Sequence, residues 1–179
     1  MKSALLIDVS IHAPFGANLE EVTPFPNNFH PPEGGDFKPA LVFDEQLAAP
    51  AGYAGDVSPQ LACQWWQAEE AVLVDVRTDA ERAWVGFVPG AMALAWKQWP
   101  DMALNPHFDE GLQATVPADK KIVFLCRSGV RSVAAARRAT ELGWVAYNIL
   151  EGFEGDANEQ TQRGHLGGWR FHGLPWCQG

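Results

Sequence analysis

From residue 53 onward, short continuous runs of apolar residues alternate with segments in which apolar and polar positions are mixed. The clearest runs lie at residues 71–76 and 121–126, and a third lies at residues 145–150. Such runs are typical of strands in a parallel sheet, because helices cover both faces and side chains of both orientations are buried. A shorter run at residues 91–96 suits a short strand.

The segments between these runs carry local helix signals. Ser58 can cap a helix whose first position is Pro59, and this helix is predicted to reach about residue 68. Gly143 is a suitable stop for a helix over residues 130–142. Further helical segments are predicted at residues 79–84 and 108–114, with a short helix in the otherwise irregular, glycine-rich stretch after residue 150.

The alternation of strands and helices predicts the fold class. Strand–helix–strand units form parallel sheets with right-handed crossovers, and their helices pack on both faces. We therefore expect an α/β three-layer domain over residues 53–179, with a central, mostly parallel five-stranded sheet. Residues 1–52 are predicted to be a separate extension of unknown role. Prolines recur there, and only two short apolar runs, at residues 5–9 and 40–43, could form strands.

The composition narrows the range of partners and locations. The formal net charge is −9 and the isoelectric point is about 4.9. These values argue against nucleic acid and anionic membranes as partners, since both need a basic face. No apolar run approaches the roughly 20 residues that span a bilayer. Asp8 interrupts the first apolar run too early for a secretory signal, so we expect a cytoplasmic protein.

The three cysteines, Cys63, Cys126 and Cys177, are too few and too scattered for a disulfide framework. None belongs to a cluster with zinc-ligand spacing, so a structural metal site is not expected. Cys63 lies on the first predicted helix and is expected in the core. Cys177 could serve as a resolving thiol, although a packed or merely exposed cysteine is far commoner.

The candidate chemistry lies in residues 126–132, between a predicted buried strand and a helix. Open α/β sheets bind ligands at this carboxyl end of their strands. Cys126 is expected beside free backbone N–H groups and the positive end of the helix dipole, which stabilise a thiolate. Arg127 and Arg131 add two positive charges, and Gly129 permits a tight turn. A free cysteine at a strand end is often only a small core residue, but two nearby arginines favour a reactive thiolate.

In their order and spacing, these segments resemble a rhodanese domain, and the resemblance covers about residues 53–179. No single piece is specific, but the ordered set is. It consists of residues 72–77, Glu81, Gly86, and residues 89–91, 122–132 and 147–155. The tail, at residues 168–170 and 173–176, also resembles a bacterial single-domain subgroup.

The resemblance implies a ping-pong sulfur transfer with no cofactor. The Cys126 thiolate would attack the sulfane sulfur of a small anionic donor such as thiosulfate, become a persulfide and release sulfite. A thiophilic acceptor, which can be cyanide, a thiol or a protein, would then take the sulfur. Arg127 and Arg131 would orient the donor and stabilise the leaving sulfite. The backbone N–H groups that would hold the persulfide belong to Arg127, Ser128, Gly129, Val130, Arg131 and Ser132.

The same resemblance assigns supporting roles to three residues outside the loop. Asp75 and Arg77, at the end of the neighbouring strand, are expected to brace the loop electrostatically, although they could equally form an ion pair with no part in catalysis. Glu81 matches a position that supports the same side of the site. The family often has Gly-His-Ile where this chain has residues 86–88 as Gly-Phe-Val, so any contact made by that histidine is missing, and with it one basis for support from Glu81.

Two other kinds of function remain open. A phosphatase on the same fold needs Cys-x5-Arg, because a phosphate requires a wider cradle, whereas Arg131 follows Cys126 after only four residues. A module that binds partners or senses redox state would not need Cys126 together with two arginines. A persulfide carrier that passes sulfur to a protein needs the same loop as a thiosulfate enzyme, and the sequence does not separate the two.

Overall fold

The computed structural model describes residues 52–179, so the predicted extension, with its candidate strands at residues 5–9 and 40–43, lies outside the described residues. The helices are α1 (Pro59–Gln67), α2 (Asp79–Val85), α3 (Phe108–Thr115) and α4 (Val130–Glu141). The strands are β1 (Gly55–Val57), β2 (Ala71–Asp75), β3 (Met92–Ala93), β4 (Lys97–Gln98), β5 (Ala103–Leu104), β6 (Lys121–Leu125) and β7 (Ala146–Ile149).

Five strands form one sheet in the order β1-β7-β6-β2-β3. All of its pairings are parallel. The central strand β6 pairs with β2 along the whole length of both, from Ala71 opposite Lys121 to Asp75 opposite Leu125. The predicted α/β fold with a five-stranded sheet is therefore confirmed. Because the strands are parallel, the ends of β2, β6 and β7 meet at one edge, where the loops that follow them can form a common site.

Helices cover both faces of the sheet, as the continuous apolar runs predict. Along β6, Ile122 and Phe124 are buried in the core that contains α3 and α4. Val123 and Leu125 point the other way and are buried in the core that contains α1 and Trp169. Burying one such side chain contributes about 1.5–3 kcal/mol. Burial on both faces explains why this strand has no polar alternation.

Several elements differ from the sequence-based expectations. Strand β1 is not predicted by the sequence, because a three-residue segment that includes a glycine and an aspartate has little intrinsic preference for a strand. Its pairing with β7 creates it. The run at residues 91–96 contributes only the two residues of β3. Strands β4 and β5 form a separate antiparallel hairpin that the sequence pattern does not predict.

The segment after β7, residues 150–179, consists of turns and bends, and the predicted short helix is wrong. Glycines with positive φ recur along the segment and interrupt any helical repeat, for example Gly155 at 72° and Gly168 at 102°. The buried side chains of Phe153 and Trp169 anchor the segment to the second core. It therefore lies firmly against the sheet without regular structure, beside the ends of β6 and β7.

Two helix starts are fixed by side-chain caps. The Ser58 hydroxyl accepts a hydrogen bond from the backbone N–H of Leu61 at 3.2 Å, which confirms the predicted start of α1. At the start of α2, Thr78 and Glu81 form a reciprocal capping box. The Glu81 carboxylate accepts the Thr78 backbone N–H at 2.9 Å and the Thr78 hydroxyl at 3.0 Å. This box fixes the position of a carboxylate at the edge of the sheet.

Candidate active site

Cys126 lies directly after β6, on the floor of an open cleft of about 640 Å³. The residue is only 1 % exposed, so the cleft reaches a sulfur that is otherwise enclosed by protein. The walls come from the loop that begins at Cys126, from α2, from the β4–β5 hairpin and from the segment after β7. Outside the loop, the lining residues are Thr78, Glu81, Trp99, Met102, Asp156 and Arg163.

The turn that carries Cys126 depends on a glycine. Gly129 has φ of 82°, in the left-handed region that favours glycine, and it immediately precedes α4. A Cβ atom at this position would lie 1.9 Å from the backbone oxygen of Leu150. The sequence-based expectation of a tight turn at Gly129 is therefore met by both its dihedral angle and its packing. No other residue type fits without moving the chain that follows β7.

The backbone carbonyl oxygens and the backbone N–H groups of this loop differ in whether they have hydrogen-bond partners. The carbonyl oxygens of Cys126 and Arg127 accept hydrogen bonds from Phe153 and Glu154, at 2.8 and 2.9 Å. By contrast, the backbone N–H groups of residues 127–132 donate to no acceptor among the described residues. Free N–H groups at the start of a helix bind anions. The loop can therefore hold negative charge next to Cys126.

Arg131 is held by a carboxylate on the opposite wall. Its Nη1 lies 2.8 Å from Oε2 of Glu81, and its Nη2 lies 2.5 Å from Oε1 of the same side chain. Burial by itself raises the pKa of Glu81, but the hydrogen bonds from Arg131 and Thr78 lower it to about 2. Burial lowers the pKa of Arg131, but the bonds and charge of Glu81 outweigh burial and raise it above its ordinary value. The pair is therefore ionised at neutral pH.

Two other arginines line the cleft, and they differ in whether another group holds the side chain. Arg127 is exposed, and its side chain makes neither a hydrogen bond nor an ion pair with any described residue. Arg163 comes from the segment after β7, and its Nη1 donates to the carbonyl oxygen of Gly155 at 2.6 Å. Arg163 is absent from the sequence-based prediction, because nothing near it in the chain marks it as part of the loop's surroundings.

Asp75 and Arg77 form a buried ion pair beside the loop. Arg77 is fully buried, and its Nη2 lies 2.6 Å from Oδ2 of Asp75 and 2.9 Å from the carbonyl oxygen of Gly86. Its guanidinium stacks on Phe153, with Cζ 3.8 Å from the ring centroid. Neither charged residue lines the cleft. The backbone N–H of Phe153 donates to Cys126, so the pair contacts the residue that anchors the loop.

A chain of hydrogen bonds, buried near Cys126 and partly buried at its far end, leads from Cys126 to the edge of the sheet. The Ser132 hydroxyl oxygen lies 3.1 Å from Sγ of Cys126 and 2.6 Å from Oδ1 of Asn148 on β7. Nδ2 of Asn148 donates to Oδ1 of Asp56 on β1 at 2.8 Å, and the Tyr53 hydroxyl donates to the same oxygen at 2.9 Å. Burial, followed by the bond to Asp56, raises the pKa of Tyr53 to about 12, so this phenol is a neutral donor.

The comparison with known families agrees with this geometry. A family model described as the rhodanese-like domain matches residues 58–159, a span that runs from α1 past β7 and includes the Cys126 loop. The chain belongs to the rhodanese-like domain family. The resemblance inferred from the sequence is thus confirmed.

Relatives of this rhodanese-like domain include proteins named as sulfurtransferases. A sulfurtransferase of Allochromatium vinosum is 33% identical over 107 residues, which are 60% of this chain and 78% of that protein. The thiosulfate sulfurtransferase GlpE of Actinobacillus succinogenes is 33% identical over 121 residues, which are 67% of this chain and 87% of that protein. An uncharacterized protein of Rickettsia prowazekii is 36% identical over 109 residues, or 59% of this chain and 82% of that protein.

Among solved structures, the crystal structure of Rv0390 from M. tuberculosis is similar to this rhodanese-like domain. The two chains are 43% identical, and the TM-score is 0.65. The match covers 71% of this chain and 99% of that chain. This share agrees with the fraction of the chain that the structure describes, residues 52–179.

The sequence-predicted site residues of the rhodanese-like domain fall into two groups in the structure. The loop residues Cys126, Arg127, Ser128, Gly129, Val130, Arg131 and Ser132 lie together at the start of α4, and Glu81 faces them across the cleft. Asp75 and Arg77 lie beneath, outside the cleft. The missed residues are Trp99, Met102, Asp156, Arg163, Asn148 and Asp56.

The other cysteines of the rhodanese-like domain lie apart from the cleft lining. Cys63 is buried on α1, as expected, and Cys177 is exposed. The backbone of Cys177 pairs with that of Phe87. Within residues 52–179, no group of three or more His, Cys, Asp or Glu side chains is arranged to hold a metal ion. In the same range, no helix is both long and apolar enough to cross a bilayer.

Proposed function

We propose that the protein is a sulfurtransferase that carries sulfane sulfur as a persulfide on Cys126. The donor is a small sulfur anion such as thiosulfate, and the acceptor is cyanide, a thiol or a protein. We also propose a cytoplasmic location, since Cys63, Cys126 and Cys177 are all free thiols and free thiols persist in a reducing compartment.

The observation that carries the proposal is the position of Cys126 directly before the N–H groups of residues 127–132 at the start of α4, which have no acceptor within residues 52–179. A persulfide has one more sulfur atom than a thiolate and keeps the negative charge on the outer atom. That atom needs donors that are already oriented, because the reaction then requires little rearrangement. We propose that the N–H groups of residues 127–132, which follow Cys126 directly in the chain, serve as these donors.

The proposed reaction has two nucleophilic steps. In the first, the Cys126 thiolate attacks the sulfane sulfur of thiosulfate, the S–S bond to the sulfonate breaks, and its electron pair leaves with sulfite. In the second, the acceptor attacks the outer sulfur of the persulfide, and the electron pair of that S–S bond returns to Cys126. Each step forms one bond to sulfur and breaks another, so no external oxidant or reductant is required.

The three arginines at the cleft are suited to different parts of this reaction. Arg127 is exposed and unpaired within the described residues, so its charge can attract and orient the anionic donor. Arg163 can contribute from the opposite wall. Arg131 is charged but paired with Glu81, so we assign it one charged hydrogen bond to the donor from a fixed position, rather than a long-range attraction. Each charged hydrogen bond to the donor is worth about 1.5–3 kcal/mol.

Asp75 and Arg77 are proposed to brace the loop from below. Arg77 stacks on Phe153, and the backbone N–H of Phe153 donates to Cys126. Loss of the Arg77 charge would leave Asp75 buried without a counterion, a change that typically costs several kcal/mol. We therefore expect substitutions in this pair to disturb stability before they disturb substrate binding.

A persulfide carrier that passes sulfur to a protein partner is the second candidate. Trp99 and Val130 at the cleft are 68% and 74% exposed, and exposed apolar side chains around a reactive thiol favour contact with a partner. The phosphatase alternative has less support. Its longer Cys-x5-Arg loop provides the space that a phosphate needs, whereas Arg131 here follows Cys126 after four residues and is bound to Glu81.

Steady-state turnover of thiosulfate and cyanide, measured by thiocyanate formation, tests the enzymatic proposal. Wild-type protein should follow parallel-line ping-pong kinetics, and Cys126→Ser should have no activity while its circular dichroism and melting temperature stay close to wild type. Cys177→Ser is the matched control, because Cys177 is exposed and outside the cleft lining, and it should keep full activity. Thiocyanate formation by Cys126→Ser would refute the proposal. If Cys126 takes up sulfur from thiosulfate but does not transfer it to cyanide, the result would favour the persulfide carrier.

A further inference from the structure

One hydroxyl proton lies between two possible acceptors beside Cys126. Ser132 is fully buried, and its Oγ lies 3.1 Å from the Cys126 sulfur and 2.6 Å from Oδ1 of Asn148. A serine hydroxyl has a single proton and can donate only one hydrogen bond. The Cys126 sulfur and the Asn148 amide oxygen therefore compete for the same donor, and no water is needed for the competition because the Ser132 hydroxyl is in direct contact with both.

The orientation of the Asn148 side chain is fixed by its other partner. Its Nδ2 donates to the Asp56 carboxylate at 2.8 Å, and a carboxylate can only accept. The amide oxygen must consequently face Ser132. Asn148 is 2% exposed, so its amide group cannot turn to form a hydrogen bond with solvent instead. With Oδ1 held there, the short 2.6 Å contact is a hydrogen bond donated by the Ser132 hydroxyl.

We propose that Asn148 is a positioning residue that controls the nucleophile of the sulfur transfer described above. Oriented by Asp56, its amide oxygen draws the Ser132 proton away from Cys126. The thiolate is then less stabilised and more nucleophilic than it would be with the hydroxyl donating to it, because the nucleophilicity of a thiolate rises with its basicity. The inference rests on the proposed function only in taking Cys126 as the nucleophile.

Charged groups lie on several sides of Cys126, so the test must leave them unchanged. The loop and α4 contribute Arg127 and Arg131, and α2 contributes Glu81. The neighbouring elements also contribute Asp75 on β2, Arg77 just after it, Asp56 on β1, and Asp156 and Arg163 in the segment after β7. Substitutions of Asn148 and Ser132 by uncharged residues alter none of these charges. A change in the pH profile then does not arise from the loss or gain of one of these charges.

The test measures alkylation of Cys126 by iodoacetamide in the full chain as a function of pH, followed residue by residue by peptide mass spectrometry. Asn148→Leu, which is nearly isosteric, frees the Ser132 hydroxyl to donate to sulfur. It should move the midpoint of the profile down by about one pH unit, the scale of one hydrogen bond to a charged group. The limiting rate at high pH should fall about threefold. Ser132→Ala removes the donor and should leave the midpoint unchanged or higher, with no fall in the limiting rate.

The double variant Ser132→Ala/Asn148→Leu separates positioning from a general structural effect. If Asn148 acts only through the Ser132 hydroxyl, its substitution has no further effect once that hydroxyl is gone, and the double variant should reproduce the profile of Ser132→Ala. A midpoint that moves by the same amount in both backgrounds would overturn the proposal, as would an unmoved midpoint for Asn148→Leu. Asn148→Ala serves as a second variant if the leucine destabilises the fold.

Two internal controls accompany the measurement. Cys177 is exposed and outside the cleft lining, so its alkylation profile should be the same in every variant. Tyr53→Phe removes the other donor to Asp56 but leaves the bond from Asn148, so the Cys126 profile should stay that of wild type. Because alkylation needs no sulfur donor, the expected profiles together with an absence of sulfur loading would refute the proposed function and leave this inference intact.

Discussion

Glu81 binds both terminal nitrogens of Arg131, at 2.8 and 2.5 Å, across the cleft between α2 and α4. The capping box at the start of α2 holds the carboxylate, because Thr78 donates two hydrogen bonds to it. The arginine that the sequence marks as an anion binder is therefore held by a helix cap fifty residues earlier in the chain. The position of the Arg131 guanidinium therefore depends on both α2 and α4.

Arg131→Ala should raise the KM for thiosulfate by about 10- to 100-fold, which corresponds to the loss of one charged hydrogen bond. The Glu81 carboxylate would also be left without its partner and would repel the donor. Adding Glu81→Gln removes that repulsion, so the double variant should recover part of the lost affinity. Initial rates over a range of thiosulfate concentrations provide both values. An unchanged KM in Arg131→Ala would contradict the role of this residue.

The low pKa of Glu81 predicts a specific acid sensitivity. Its folded-state pKa of about 2 is below the ordinary value of 4.5, so ionised Glu81 stabilises the fold above about pH 4.5. This stability is lost as pH falls toward 2, and it amounts to at most about 3 kcal/mol. Glu81→Gln should therefore be less stable than wild type at pH 7, and the difference should shrink by pH 3.

Urea unfolding at pH 7 and pH 3 measures that difference. Glu159→Gln is the control, because Glu159 is exposed and forms no ion pair with the described residues. Its free energy of unfolding should match that of wild type at both pH values. The lowered pKa of Asp109, which is caused by its hydrogen bond from Arg138, is common to all three proteins and cancels in the comparison. A difference between wild type and Glu81→Gln that stays constant with pH would be inconsistent with the ion pair.

Gly129→Ala should disrupt the loop that carries Cys126. The new Cβ would lie 1.9 Å from the backbone oxygen of Leu150, and the residue would also have to keep a φ of 82°. We expect a loss of about 3 kcal/mol or more in the free energy of unfolding, together with loss of sulfur transfer. Gly143→Ala separates the cost of the positive φ from the cost of the Cβ contact. Gly143 has φ of 105°, but nothing lies within 4 Å of its Cβ position.

The control variant should lose only about 1–2 kcal/mol from the dihedral angle and keep its activity. Chemical unfolding curves and thiocyanate assays on both variants provide the comparison. Equal losses in Gly129→Ala and Gly143→Ala would mean that contact with the chain after β7 does not constrain the loop.

Arg127→Ala should weaken the binding of the anionic donor, because the attraction of the Arg127 charge is lost. We expect the KM for thiosulfate to rise about 10-fold at low salt. The difference from wild type should narrow as ionic strength rises, because Arg127 is exposed and its field is screened. Arg137→Ala removes the same charge from an exposed position on α4 that does not line the cleft, so it should leave the KM unchanged. Equal effects of the two substitutions would indicate only a response to net charge.

The sequence predicts best those features that are determined by neighbouring residues. The Ser58 cap, the apolar strand β6 and the turn at Gly129 depend on residues within a few positions of each other, and all three are present. Strand β1 is too short to show a pattern of its own and exists because β7 pairs with it. The recurring glycines after β7 prevent the expected helix.

The parts of the candidate site that the sequence misses are tertiary contacts. Asn148 lies 16 residues from Ser132, and its other partner, Asp56, lies 92 residues away, so no local pattern joins them. Arg163 reaches the cleft only through the irregular path of the segment after β7. Family resemblance alone predicts a role for Glu81 at the site, and its direct contact with Arg131 depends on how α2 and α4 meet across the cleft.

Sulfur loading of Cys126 is the most direct test of the central claim. The purified full chain is reduced, incubated with excess thiosulfate, freed of small molecules and examined by intact-protein and peptide mass spectrometry without reductant. We expect a gain of one sulfur atom on the peptide that contains Cys126, its removal by cyanide with release of thiocyanate, and no gain in Cys126→Ser. A protein that gains no sulfur at Cys126, or gains it equally in Cys126→Ser, would contradict the account.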